Sequence, residues 1–163
     1  MKSFHLLAAT GLALSLGATA SAAVIVYNFP IDGLQEVGPN ASPGFGTGIV
    51  TLDTTANTLN WNISWGGLLA PATAMHFHGD APAGVNAGVI INIGSISGLI
   101  SPSIGGTGIT DLQEASIIAG LWYVNIHTSV FPGGEIRGQV VPAPGAAAVL
   151  GLAGLGAMRR RRA

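Results

Sequence analysis

Leu121 to Val141, reading LWYVNIHTSVFPGGEIRGQVV, decides the fold. It holds two alternating runs, Leu121 to Thr128 and Glu135 to Val141, joined by a segment carrying Pro132, Gly133 and Gly134. That is the pattern of a β-hairpin with a slightly long turn. Successive strand side chains point to opposite faces, so Trp122, Val124 and Ile126 share one face of the first run while Tyr123, Asn125 and His127 share the other. In the second run Ile136 and Val140 oppose Glu135, Arg137 and Gln139. The hairpin therefore has one apolar face, and a second that gathers a Tyr, an Asn, a His and two opposite charges.

Outward from this hairpin, the charges of the 163-residue chain are sharply partitioned. Lys2 and Arg159 to Arg162 lie near the two ends, and Arg137 is the only strongly basic residue between them. All the acidic residues, Asp32, Glu36, Asp53, Asp80, Asp111, Glu114 and Glu135, fall in the middle, giving the segment 23–141 a formal charge of about −6 with His neutral. Such a surface repels phosphate backbones, which argues against nucleic-acid partners. The chain has no Cys, so disulfides, thiol nucleophiles and thiolate metal sites are excluded. The middle segment also has no Lys, so Gly44-Phe-Gly-Thr-Gly48 reads as a flexible turn and not as a phosphate loop.

At the start, Lys2 precedes an apolar run from Leu6 to Leu16 and then Ala20-Ser21-Ala22, the layout of a secretory signal peptide over 1–22 with the mature chain beginning near Ala23. Short β-prone runs follow, broken by Gly, Pro and Asn. Strands are expected at Val24 to Phe29, Ile31 to Val37, Thr47 to Asp53, Leu59 to Trp65, Thr73 to Gly79 and Val89 to Ile93, the last apolar enough to be central. Leu59, Trp61, Ile63 and Trp65 face one way, as core anchors; the alternative is an exposed aromatic platform for sugars. Gly94 to Gly108 reads as loop, and Thr110-Asp-Leu-Gln113 has the capping-box pattern, so one short helix is expected over 111–119, ended by Gly120. Many short strands with regular turn signals and one helix indicate an all-β fold, an antiparallel β-sandwich or barrel.

Three motifs in order carry a family resemblance: His76-Phe-His78-Gly79-Asp80-Ala81-Pro82, Tyr123-Val-Asn125-Ile-His127-Thr128, and Pro132-Gly-Gly134-Glu135-Ile-Arg137-Gly138-Gln139. Together with Gly33-Leu-Gln35-Glu36-Val37 and Gly48-Ile-Val-Thr-Leu-Asp53, they resemble the chordin-type CHRD domain over about Val24 to Val141, with Gly38 where that family usually has Pro. The resemblance implies an extracellular, immunoglobulin-like β-barrel module, and the family's namesake in animals is a secreted binder of growth factors.

Beyond Val141 the chain runs Pro142-Ala-Pro144, an apolar segment from Gly145 to Met158, then Arg159, Arg160, Arg161 and Arg162. Pro144 suits the first turn of a helix, and the Arg cluster marks its cytoplasmic end. At about 1.5 Å per residue the apolar segment spans roughly 21 Å, short of a hydrocarbon layer of about 30 Å. The tail 142–163 resembles a PEP-CTERM sorting signal, with Ala143 in place of the usual Glu. This implies a bacterial chain inserted at least transiently in the membrane and processed by an exosortase-type enzyme. The domain 23–141 is then expected at the cell surface or in an extracellular matrix.

His76 and His78 share a strand face, and His127 lies on the polar face of the hairpin, so neighbouring strands would bring the three rings together. One reading makes them structural: each imidazole bonds a backbone carbonyl or carboxylate, with Glu135 and Arg137 completing a buried polar cluster. The other makes them a copper or zinc site, and His76-Phe-His78 is similar to the His-x-His strand of copper-zinc superoxide dismutases. The structural reading is taken as the expectation, with no catalytic residue and no cofactor. A module acting by binding an extracellular protein or polysaccharide is thus expected, against a metalloenzyme on His76, His78 and His127 or a carbohydrate binder using Trp61, Trp65 or Trp122.

Overall fold

Alternating apolar residues give eight strands in the computed structural model, which describes residues 23–141. The signal peptide expected over 1–22 and the whole tail 142–163, with its apolar helix, Pro142, Pro144 and Arg159 to Arg162, lie outside the described residues. The strands are β1 (Val24–Asp32), β2 (Phe45–Asp53), β3 (Thr58–Gly66), β4 (Ala72–His78), β5 (Val89–Asn92), β6 (Ser103–Gly108), β7 (Tyr123–Thr128) and β8 (Ile136–Gln139). Two helices join them, α1 (Ile93–Ser97) and α2 (Asp111–Ile118). No described helix is long and apolar enough to cross a membrane.

All pairings are antiparallel, in the order β5-β4-β7-β8-β1-β2-β3-β6. The expected two layers are therefore two leaflets of one curled sheet, a half-barrel. They are joined where β8 meets β1 at Asp32 and Arg137. Across the interior Phe77 of β4 packs edge-on against Trp61 of β3, 5.6 Å between centroids, and at 6.0 Å against Trp122. Tyr27, Phe29, Leu52, Ile63, Val124 and Ile126 complete the same buried cluster. The hairpin face read as apolar is indeed the one that enters the core.

Several expectations are corrected. Pro30 lacks an amide donor yet does not end the first strand, which continues to Asp32. No strand follows at Ile31 to Val37: the Asp32 carboxylate accepts from the amides of Leu34 and Gln35, at 2.9 and 3.1 Å, and turns Gly33–Gln35 into a 3-10 helix. Val89 to Ile93 is not central, because β5 stands at one end of the sheet and Ile93 begins α1, capped by Asn92 accepting from Ser95 N. The stretch read as loop holds α1 and β6. Strand β6 is glycine-rich because it lies under an indole: a Cβ on Gly105 would come within 2.9 Å of Trp61. Helix α2 matches its expectation, with both halves of the Thr110–Gln113 capping box formed.

Candidate functional site

The outward faces of the two leaflets differ. On β1, β2, β3 and β6 it is bare. On β4, β7 and β8 it carries His76, His78, Tyr123, Asn125, His127, Arg137 and Gln139, in register across neighbouring strands, and two loops roof it. The first loop, after β1, brings Glu36 within 3.4 Å of Asn125 Nδ2, Asn40 Nδ2 to Glu135 O at 3.1 Å, and the Ser42 hydroxyl to Glu135 at 2.6 Å. The second, between β4 and β5, offers the Val85 and Ala87 carbonyls. The polar hairpin face is thus buried: Tyr123 is 1% exposed and Asn125 3%.

At its centre Tyr123 is sandwiched across three strands. His78 of β4 stacks on the ring at 4.9 Å between centroids and 7° between planes, and the Arg137 guanidinium of β8 lies 3.4 Å from the ring centroid. Arg137, only 1% exposed, donates to Val85 O at 2.9 Å, Asn86 Oδ1 at 3.3 Å and Gln139 Oε1 at 3.4 Å. Its nearest charge partner is not Glu135. The Glu135 carboxylate accepts instead from Ser42, Thr128 and the Leu69 amide at 2.6 to 2.8 Å, so Glu135 and Arg137, expected in one polar cluster, are held by different partners. Burial pushes the Glu135 carboxyl up, and those three donors together hold it below the ordinary carboxylate range.

Glu36 is the carboxylate that feels Arg137, and sequence reasoning missed it. Burial raises its pKa to about 7, against the lowering influence of Arg137 and of the Asn125 amide, and its Oε1 is buried with no partner. Burial likewise lowers the pKa of Arg137. The Asp32 cap was the available signal, because it reverses the chain after β1 and carries Glu36 over the hairpin. A cleft of about 310 Å³ beside this pair is bounded by Leu34, Val37, Pro39, Gly84, Arg137 and Gln139.

A pH dependence follows. Glu36 holds a proton in the folded protein at pH values where the unfolded chain, with its ordinary value of 4.5, has released it. Its contribution to stability is therefore fully present below about 4.5 and declines as pH rises through about 7. At about 1.4 kcal/mol per pH unit the loss is at most about 3.5 kcal/mol. Glu36→Gln removes it, so the melting temperature of the variant relative to the native chain is expected to climb between pH 5 and pH 8. Taking this difference cancels the contribution of the histidines. Parallel melting curves across that range would refute the assignment.

The three histidines do converge. One nitrogen of each of His76, His78 and His127 lies within 4.8 Å of the others. His76 Nδ1 is 3.1 Å from His127 Nε2, His78 Nδ1 is 3.0 Å from Ala87 O, and His127 Nδ1 is 3.0 Å from Pro132 O. Burial lowers the pKa of His76, helped by His127 and His78; burial is also the main cause of the lowered pKa of His78. Both are neutral at neutral pH. Of the aromatic residues weighed for sugar stacking, Trp61 and Trp122 are sunk in the core, at 2% and 0% exposure, and Trp65 is half-buried. Trp122 Nε1 donates to Asp80 at 3.2 Å, and Asp80 also accepts from Ser116.

The CHRD domain family model matches residues 27–140, from within β1 to just past β8. No curated protein and no solved structure matches the chain.

Proposed function

Because the chain belongs to the CHRD domain family, we propose that residues 23–141 form an exported module that acts by binding a protein at the cell surface or in an extracellular matrix, without turnover. The observation that carries this is the bare leaflet. Val24, Val26, Phe45, Ile49 and Ile104 are 41–63% or 64% exposed on its outward face, interleaved with Asn28, Thr47, Asn60 and Asn62. The carboxylates of the same parity, Asp32 and Asp53, stand at strand ends and cap turns. An uncharged, partly apolar sheet face on a domain with a charge of about −6 is suited to another protein surface and unsuited to phosphate or lipid headgroups. The expected signal peptide and sorting tail supply the route outward.

Expression of the full chain in a cell that carries the matching export machinery tests this reading. The native chain should be retained in the surface or matrix fraction, and a Val26→Glu, Ile49→Glu double variant, which touches no core residue, should be released to the medium while still folded. Equal retention of both chains, or a native chain that stays in the cytoplasm, would overturn the proposal.

A further inference from the structure

We infer that His76, His78 and His127 form a binding site for a divalent transition metal that favours nitrogen ligands, Cu(II) before Zn(II). The site goes beyond the binding role proposed above and lies on the opposite leaflet from the bare face.

The hydrogen bonds fix the tautomers. A carbonyl oxygen only accepts, so the Ala87 and Pro132 carbonyls require a proton on Nδ1 of His78 and of His127. That leaves a bare lone pair on Nε2 of each ring. His127 Nε2 has His76 Nδ1 to accept from, at 3.1 Å; His78 Nε2 is buried and has no partner, on a side chain only 8% exposed. A buried acceptor left unpaired is costly, and folded proteins rarely keep one without a reason. Here a cation supplies the reason. When His76 shifts to its other tautomer, losing the proton on Nδ1 and taking one from solvent on Nε2, the ring stays neutral and three nitrogen lone pairs face one small volume.

Distances agree with this. Metal–nitrogen bonds of about 2.0–2.1 Å at tetrahedral angles set ligand atoms about 3.3 Å apart. The His76–His127 separation of 3.1 Å is already close to that, and one nitrogen of each of the three rings lies within 4.8 Å of the others. The ring centroids of His76 lie 5.0 Å from His127 and 5.4 Å from His78. Ring orientation is set in advance by the carbonyls behind the two Nδ1 atoms and by the Tyr123 stack, which is the support that metal-bound histidines commonly have. An all-imidazole donor set without a carboxylate suits copper and zinc, with copper the tighter, and is unsuited to calcium or magnesium. His76 and His127 are only partly buried, so the metal has a path in and a free position for water.

The test uses the full chain, stripped with a chelator and titrated with Cu(II), Zn(II) or Mg(II) against a weak competing ligand. One Cu(II) per chain is expected, with nitrogen hyperfine structure in its electron paramagnetic resonance spectrum, weaker Zn(II) binding, no effect of Mg(II), and a metal-dependent rise in melting temperature of several degrees. His76→Ala and His127→Ala should each weaken Cu(II) binding about 100-fold or more while melting normally without metal. These two rings are the more exposed, so they decide the matter even if the buried His78→Ala chain does not fold. Copper binding that survives both substitutions, or a native chain that binds copper no better than either variant, would overturn the inference.

Discussion

Arg137→Ala is expected to lower the stability of the domain by about 3 to 5 kcal/mol, the range for removing one partner from a buried charge arrangement. Three losses add. The Val85 carbonyl and the Asn86 side chain lose their donor, the Tyr123 ring loses the cation packed on it at 3.4 Å, and Glu36 loses the positive charge nearest to it. Because the guanidinium holds the loop between β4 and β5 and faces Glu36 in the loop after β1, both roof loops weaken together. Chemical denaturation of native and variant chains measures the effect. Arg137→Lys should recover only part of it, since a single ammonium nitrogen cannot reach the separate acceptors that Nη1 and Nη2 serve and also keep the flat stack. A loss below about 1 kcal/mol for Arg137→Ala, the level of an ordinary surface change, would contradict this account.

Trp122→Ala is expected to be of comparable or greater size, about 3 to 5 kcal/mol, and to leave many chains unfolded at 37 °C. The indole is fully buried, packs against Phe77 and donates to Asp80, so its loss opens a large cavity in the core and removes one of the donors to the exposed Asp80 carboxylate. Thermal melting checks the prediction. It also separates a core role from sugar recognition: a Trp that served as an exposed platform would cost little when removed, and an unchanged melting temperature would point that way.

The hairpin and the convergence of histidines were legible in the sequence because both depend on strand parity alone. Once Tyr123-Val-Asn125-Ile-His127 and His76-Phe-His78 are strands, and the strands are neighbours, the rings must share a face. What parity cannot convey is what covers that face. The carbonyls of Ala87 and Pro132, which set the histidine tautomers, are backbone atoms in loops, and no residue type announces them. Glu36 was hidden for a related reason: the stretch Ile31 to Val37 was expected as a strand, and only the Asp32 cap, which turns Gly33–Gln35 into a 3-10 helix, carries Glu36 over the hairpin. Strand β6 was hidden because Gly105, Gly106 and Gly108 break up any alternation in Ser103 to Gly108; it holds its place by fitting beneath Trp61, a demand that comes from β3 and not from its own sequence.

The meeting of β1 with β8 also governs the order in which the chain can fold. Asp32 and Arg137 are about a hundred residues apart, and closing so long a loop is what makes sheet proteins of this kind slow, on the order of milliseconds to seconds. Strands β1, β2 and β3 are consecutive and can form a meander early, but the other edge of β1 has no neighbour until residues 136–139 have been made. During that interval an unpaired strand edge, beside the uncharged leaflet face, is the part of the molecule most able to pair with a second copy of itself. The risk of aggregation therefore belongs to the first third of the domain, and it is ended by the arrival of the last strand.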